Sequence, residues 1–153
     1  MKNFKNKVAA ITGAGSGIGQ QLAVLLAKQG CHLSLSDVNE QGLAQTVELV
    51  KDSHVRVTTQ KLDVADRDAM KEWAADTVQN HGSVNMIFNN AGVALGSTVE
   101  GASYEELEWI VNINFWGVVY GTKEFLPLIK KSGDGHVINI SSLFGLTAQP
   151  TQS

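Results

Sequence analysis

Short apolar runs alternate five times with longer stretches of helical spacing, and this alternation restricts the fold more tightly than any other feature of the chain. The runs "KVAAIT" (7–12), "CHLSLS" (31–36), "VRVTTQKL" (55–62), "VNMIFN" (84–89) and "HVINIS" (136–141) read as strands. Between them lie "GIGQQLAVLLAKQG", "EQGLAQTVELVKD", "DRDAMKEWAADTVQNHG" and the long "SYEELEWIVNINFWGVVYGTKEFLPLIKKSG", which read as helices. A strand that rejoins its sheet through a helix does so by a right-handed crossover, which leaves the strands parallel. The expected architecture is α/β, a doubly wound parallel sheet. In the first helix Ile18, Leu22, Leu25 and Leu26 fall on one face, and Gly30 suits its C-terminal end. Asp66 suits the N-cap of the third helix. Residues 1–153 read as one domain with no internal repeat, linker or low-complexity tract, and Pro150 with the tail "TAQPTQS" reads as loop.

Apolar residues make up 43% of the chain and charged residues 18%, with a formal net charge of −3. That balance fits a soluble globular domain and not a disordered chain. No run of Lys or Arg forms a stripe for a phosphate backbone, which argues against a nucleic-acid partner. No apolar run approaches membrane-spanning length, and "MKNFKNKVAA" lacks the apolar stretch of a signal peptide. The lone Cys31 excludes an internal disulfide and fits a reducing, cytoplasmic setting. Its position would open a buried strand. His32, His54, His81 and His136 show no metal-ligand spacing with one another or with Cys31, so no metal is expected.

The stretch "TGAGSGIG" (12–19) stands where the first strand must turn into the first helix. Gly13 permits a tight turn, Gly17 lets the backbone approach a pyrophosphate, and Gly19 lets helix and sheet pack closely. Free amides at the helix start face such an anion. Four glycines in eight residues are entropically costly for a mere connector. Gly15, Ser16 and Ile18 complete the loop and join the candidates for holding a coenzyme. Asp37 follows eighteen residues after Gly19, at the end of the second strand. A carboxylate there accepts hydrogen bonds from both adenosine ribose hydroxyls and repels a 2′-phosphate. Between Lys7 and Lys51 the only cation is Lys28, within a helix, so NAD is favoured over NADP. The other reading of Asp37 alone is a loop-capping aspartate.

Taken together, several motifs in order resemble the classical short-chain dehydrogenases/reductases. "TGAGSGIG" resembles the family's T-G-x-x-x-G-x-G loop, "LDV" (62–64) the segment that holds adenine, and "NNAG" (89–92) the signature after the fourth strand. "NFWG" (114–117) resembles the N-x-x-G motif and "SLFG" (142–145) the S-x-x-G motif. The resemblance implies a sheet of strand order 3-2-1-4-5. It implies that Asp63 and its neighbour Val64 meet the adenine, and that Asn90 and Gly92 lie beside the ribose. It makes Asn114, in a helix disturbance, the active-site asparagine that binds a water. It makes Ser142, not Ser141, the catalytic serine, hydrogen-bonded to the oxygen of a small alcohol or carbonyl substrate. It further implies a homo-oligomer, dimer or tetramer.

Two departures stand against the family pattern. Asn85 occupies a place where the family often has aspartate, which is expected to alter only a turn. The family's tyrosine, thirteen residues after the serine, and the lysine four residues later would begin at position 155, past Ser153. The resemblance therefore makes the chain the N-terminal part of a longer protein, inactive without that pair; the alternative is a non-catalytic dinucleotide-binding module. Tyr120 and Lys123 are three apart within the long helix and read as ordinary helix neighbours. Glu105, Glu106 and Glu108 read as an exposed helix start, and Trp109, Trp116 and Phe125 as core or subunit contact.

Overall fold

A computed structural model of the chain describes residues 3–145; Pro150 and the whole tail read as loop lie outside them. Strands β1 (Val8–Thr12), β2 (His32–Asp37), β3 (Val57–Lys61), β4 (Met86–Asn89) and β5 (His136–Asn139) form one parallel sheet in the order β3-β2-β1-β4-β5. The helices are α1 (Gly17–Lys28), α2 (Glu40–Val50), α3 (Arg67–His81), α4 (Tyr104–Val111) and α5 (Gly117–Ser132). A π-helical turn, Asn112–Trp116, separates the last two.

Strand β1 is central and buried at every position, so it has no polar face, as parallel strands covered on both sides require. Its period of two assigns each side chain to a layer. Ala9 and Ile11 join Ala23, Leu26, Leu43 and Val50 on the side of α1 and α2. Val8 and Ala10 join Met70, Trp73, Phe125 and Ile129 on the side of α3 and α5. In that second layer Trp73 meets Phe125 edge-on at 4.9 Å and donates its indole N–H to Ser34 Oγ at 2.9 Å, which satisfies the ring's one polar atom. Full burial of side chains such as Ile11, Leu33 or Phe125 contributes about 1.5–3 kcal/mol each.

The helix ends obey their local sequence. Asp66 caps α3, accepting from the backbone N–H groups of Asp68 and Ala69, and Gly30 adopts a left-handed φ of 76° just past α1. Ser103 and Glu106 form a capping box at α4, which explains part of the acidic cluster there.

Two expectations need correction. Ile18 and Leu25 do not share the buried face of α1; they are 62% and 59% exposed, and Gly19, Ala23, Leu26 and Ala27 face the sheet instead. The helix starts so close to the turn that a Cβ on Gly19 would stand 2.1 Å from Gly13 O, so that position requires glycine. The long helix carries the disturbance expected at Asn114, in the form of the π turn. Its sheet-facing stripe is Gly117, Gly121, Phe125 and Ile129, while Phe115 and Trp116 point outward. Finally, Asn85 does more than shape a turn. It is 5% exposed; its Oδ1 accepts from Val8 N at 3.0 Å, and its Nδ2 donates to Asp134 O at 2.9 Å and Ser132 Oγ at 3.2 Å. An aspartate could receive the first bond but could not donate the others.

Candidate functional site

The turn out of β1 takes the shape its glycines allow. Gly13 and Gly17 hold left-handed φ angles of 64° and 50°. Nothing would lie within 4 Å of a Cβ on Gly17, so that side of the loop opens to space. Helix α1 begins there with no acidic residue in its first turn, and Ser16 at its N-cap does not spend its hydroxyl on capping. The first peptide N–H groups of a helix have no partner within it and carry partial positive charge. This end of α1 is built to receive an anion.

A cleft of about 380 Å³ opens above this turn, where the crossovers leaving β1 and β4 run in opposite directions. Its lining includes Gly13, Ser16, Gly17, Ile18, Asp37, Asp63, Val64, Asn90 and Gly92. The outward turn of Ile18 thus has a use. Val38, Leu62, Ala91, Val93 and Ile113 also line it and were not singled out from the sequence. Each is an apolar neighbour of a motif residue, and adjacency was the only available signal. Gly15 contributes indirectly: its N–H donates to Asp37 Oδ2 at 2.8 Å. Asp37 Oδ1 accepts from Asn39 N at 2.9 Å, so backbone donors orient both carboxylate oxygens. The fold also brings in a cation that the span from Lys7 to Lys51 omitted. Lys61 is the register partner of Asp37, and its ammonium pairs with Glu40 at 3.1 Å.

Thr12 ties the two crossovers together and was also missed. Its Oγ1 accepts from Asn90 N and Ala91 N, both at 2.9 Å, and faces Phe88 O at 3.3 Å. Asn90 answers by donating Nδ2 to Thr12 O at 2.8 Å. Asn114 lies in the π turn, behind the cleft wall. Its Oδ1 accepts from Val93 N and its Nδ2 donates to Val93 O, each at 2.9 Å. Neither Asn114 nor Ser142 lines the cleft itself; Ser142 is exposed just after β5, with its carbonyl accepting from Gly145 N at 3.0 Å.

The remaining titratable candidates stand elsewhere. Cys31 is fully buried, and burial pushes its thiol up to about 12, so it is an inert core residue. Tyr120 stacks on Trp116 at 5.8 Å and, with Lys123, lines a separate depression over α3 and α5. Among the described residues, no three His, Cys, Asp or Glu side chains gather to share a metal ion, and no helix is long and apolar enough to cross a membrane.

A family model described as short chain dehydrogenase matches residues 7–153. The chain belongs to the short-chain dehydrogenase family. Across its whole length it is 49% identical to SadH of Mycobacterium tuberculosis, named as an oxidoreductase, and it spans 55% of that protein. A short-chain dehydrogenase/reductase from Burkholderia phymatum, solved in complex with NAD, superposes with a TM-score of 0.95 at 34% identity, over 99% of this chain and 54% of that one. Levodione reductase superposes with a TM-score of 0.94 at 33% identity, over 99% of this chain and 60% of the other. The chain thus spans little more than half the length of these short-chain dehydrogenases, and it carries their parallel sheet in the order 3-2-1-4-5. Its cleft, with open glycine backbone, a helix N-terminus, an oriented carboxylate and apolar walls, fits a nicotinamide dinucleotide.

Proposed function

We propose that the protein is an NAD(P)-dependent oxidoreductase, NAD being the favoured coenzyme, that acts on a secondary alcohol or its ketone. The observation that carries this reading is the glycine turn facing Asp37 across one cleft. Gly13, Ser16, Gly17 and Ile18 would hold the pyrophosphate with the first amides of α1, Gly15 would serve through its bond to Asp37, and Asp37 would accept from the adenosine ribose hydroxyls. Asp63 and Val64 would hold the adenine, with Asn90 and Gly92 beside the ribose. Bound there, the coenzyme supplies the hydride acceptor or donor. NAD is favoured because Asp37 would repel a 2′-phosphate, while Glu40 already engages Lys61.

Ser142 would hydrogen-bond the substrate oxygen and hold the reacting carbon in place. A serine neither gives nor takes a proton readily near neutral pH, so the proton needs another group. Family resemblance assigns it to a Tyr-x-x-x-Lys pair whose tyrosine lies thirteen residues after the serine. Asn114 would position the Gly92–Val93 wall through its paired bonds. The outward Phe115 and Trp116 support a homo-oligomer contact, and the lone buried Cys31 supports a cytoplasmic setting.

The test is coenzyme-dependent turnover of the complete protein across a panel of secondary alcohols and ketones. Ser142→Ala is expected to lose about a hundredfold or more in kcat with coenzyme affinity unchanged. An unaltered kcat would remove Ser142 from the site.

A further inference from the structure

The peptide joining Ala14 to Gly15 is held at both ends by residues distant in sequence. Its N–H donates to Asp37 Oδ2 at 2.8 Å, and its carbonyl accepts from Thr46 Oγ1 at 2.8 Å. A trans peptide directs these two groups oppositely, so the end of β2 and the body of α2 grip one rigid plane from two sides. Thr46 is fully buried and does not line the cleft.

A threonine inside a helix ordinarily turns its hydroxyl to the carbonyl four residues back. Gly42 O lies at 3.0 Å for that purpose. The hydroxyl has one proton, however, and the shorter contact is to Ala14 O, on a fully buried residue. Gln20 Nε2 donates to Thr46 Oγ1 at 3.0 Å, which takes up a lone pair and leaves the proton for a carbonyl. Helix α2 is pressed directly onto the loop, since a Cβ on Gly42 would stand 2.5 Å from Gly15 O. A change in the Thr46 hydroxyl is therefore felt at the peptide that orients Asp37.

We propose that Thr46 is a positioning residue for coenzyme selection: it fixes the Ala14–Gly15 peptide so that the Gly15 N–H holds the Asp37 carboxylate ready for ribose hydroxyls and against a 2′-phosphate. This rests on Asp37 being the sugar-reading group. The hydroxyl, not the side-chain volume, carries the effect.

Calorimetric dissociation constants for NAD⁺ and NADP⁺, measured on the complete protein, test it. Thr46→Val is expected to raise the Kd for NAD⁺ about tenfold, as for a lost bond to a buried carbonyl, and to move NADP⁺ far less, so the preference narrows. Thr46→Ser is expected to restore the parent ratio. Gln20→Leu, at a half-buried position, is expected to narrow the ratio by a smaller factor. The proposal is overturned if Thr46→Val weakens both coenzymes equally or neither, or if Thr46→Ser behaves like the valine variant. Should the valine variant not fold, a parent ratio in Gln20→Leu overturns it. Asp37→Ala separates the two layers. If it keeps the NAD preference, the reading of Asp37 fails; if it abolishes the preference while Thr46→Val leaves it intact, Thr46 alone is dismissed.

Discussion

Asn114 holds the backbone of Val93 by both of its polar groups, accepting its N–H and donating to its carbonyl at 2.9 Å each. The π turn places Asn114 toward β4's crossover, close enough that a Cβ on neighbouring Gly92 would stand 3.3 Å from Asn114 Oδ1. Asn114→Asp is therefore expected to be more damaging than its isosteric size suggests. It keeps an acceptor for Val93 N–H but sets a carboxylate oxygen against the Val93 carbonyl. A loss of about 0.5–1.5 kcal/mol in chemical denaturation is expected, with weaker coenzyme binding. A variant with parent stability and affinity would show that the clamp is idle.

The glycines of the turn should differ in what a methyl group does to them. In Gly17→Ala the added carbon meets open space, and only the left-handed backbone resists, at about 1–2 kcal/mol. In Gly19→Ala the carbon would enter Gly13 O, so α1 must lift from the sheet and carry the anion site with it. Equilibrium unfolding and NAD⁺ titration of the two variants check this, with Gly19→Ala expected to lose binding outright.

His81 makes stability depend on pH. Its Nε2 pairs with Thr58 Oγ1 at 2.9 Å, while its buried Nδ1 has no partner among the described residues. Burial first, then the nearby charges of Arg56 and His32, lower its pKa to about 4. The folded state thus refuses a proton that the unfolded chain accepts near 6.5. The stabilisation is complete above that value and is lost as pH falls toward 4, amounting to up to about 3 kcal/mol. Thermal unfolding between pH 4 and 7 should therefore steepen in the parent and flatten in His81→Gln. Parallel curves would exclude His81 as the source.

Phe115 and Trp116 are 57% and 42% exposed on one outer surface, packed edge-on against each other at 5.3 Å. Such a patch is expected to be covered by another subunit. Sedimentation of the complete protein should show an oligomer that Phe115→Ser with Trp116→Ser dissociates at micromolar concentration. A parent that is already monomeric would contradict the contact.

What the sequence makes legible here is whatever depends on local period or on glycine. The alternation of runs gives the parallel sheet, and the turn at Gly13, Gly17 and Gly19 is written in residues whose backbone freedom has few other uses. Asp66 and Gly30 mark helix ends for the same reason. Long-range polar contacts leave no such mark. Asn85 reads as a turn residue until Val8 and Asp134 are brought to it, and Thr46 reads as an ordinary helix position until Ala14 lies beneath it. Lys61 is 24 residues from Asp37 in sequence and beside it in register. The inward face of α1 is not legible in the sequence, because large apolar residues signal burial in general, whereas close approach at Gly19 selects a glycine.

The most direct measurement is calorimetric titration of the complete, folded protein with each nicotinamide coenzyme. Saturable binding of NAD⁺ at one site per chain, tighter than that of NADP⁺ and losing this margin in Asp37→Ala, is the expected result. No heat of association with either coenzyme, from protein shown to be folded, would contradict the assignment of the cleft.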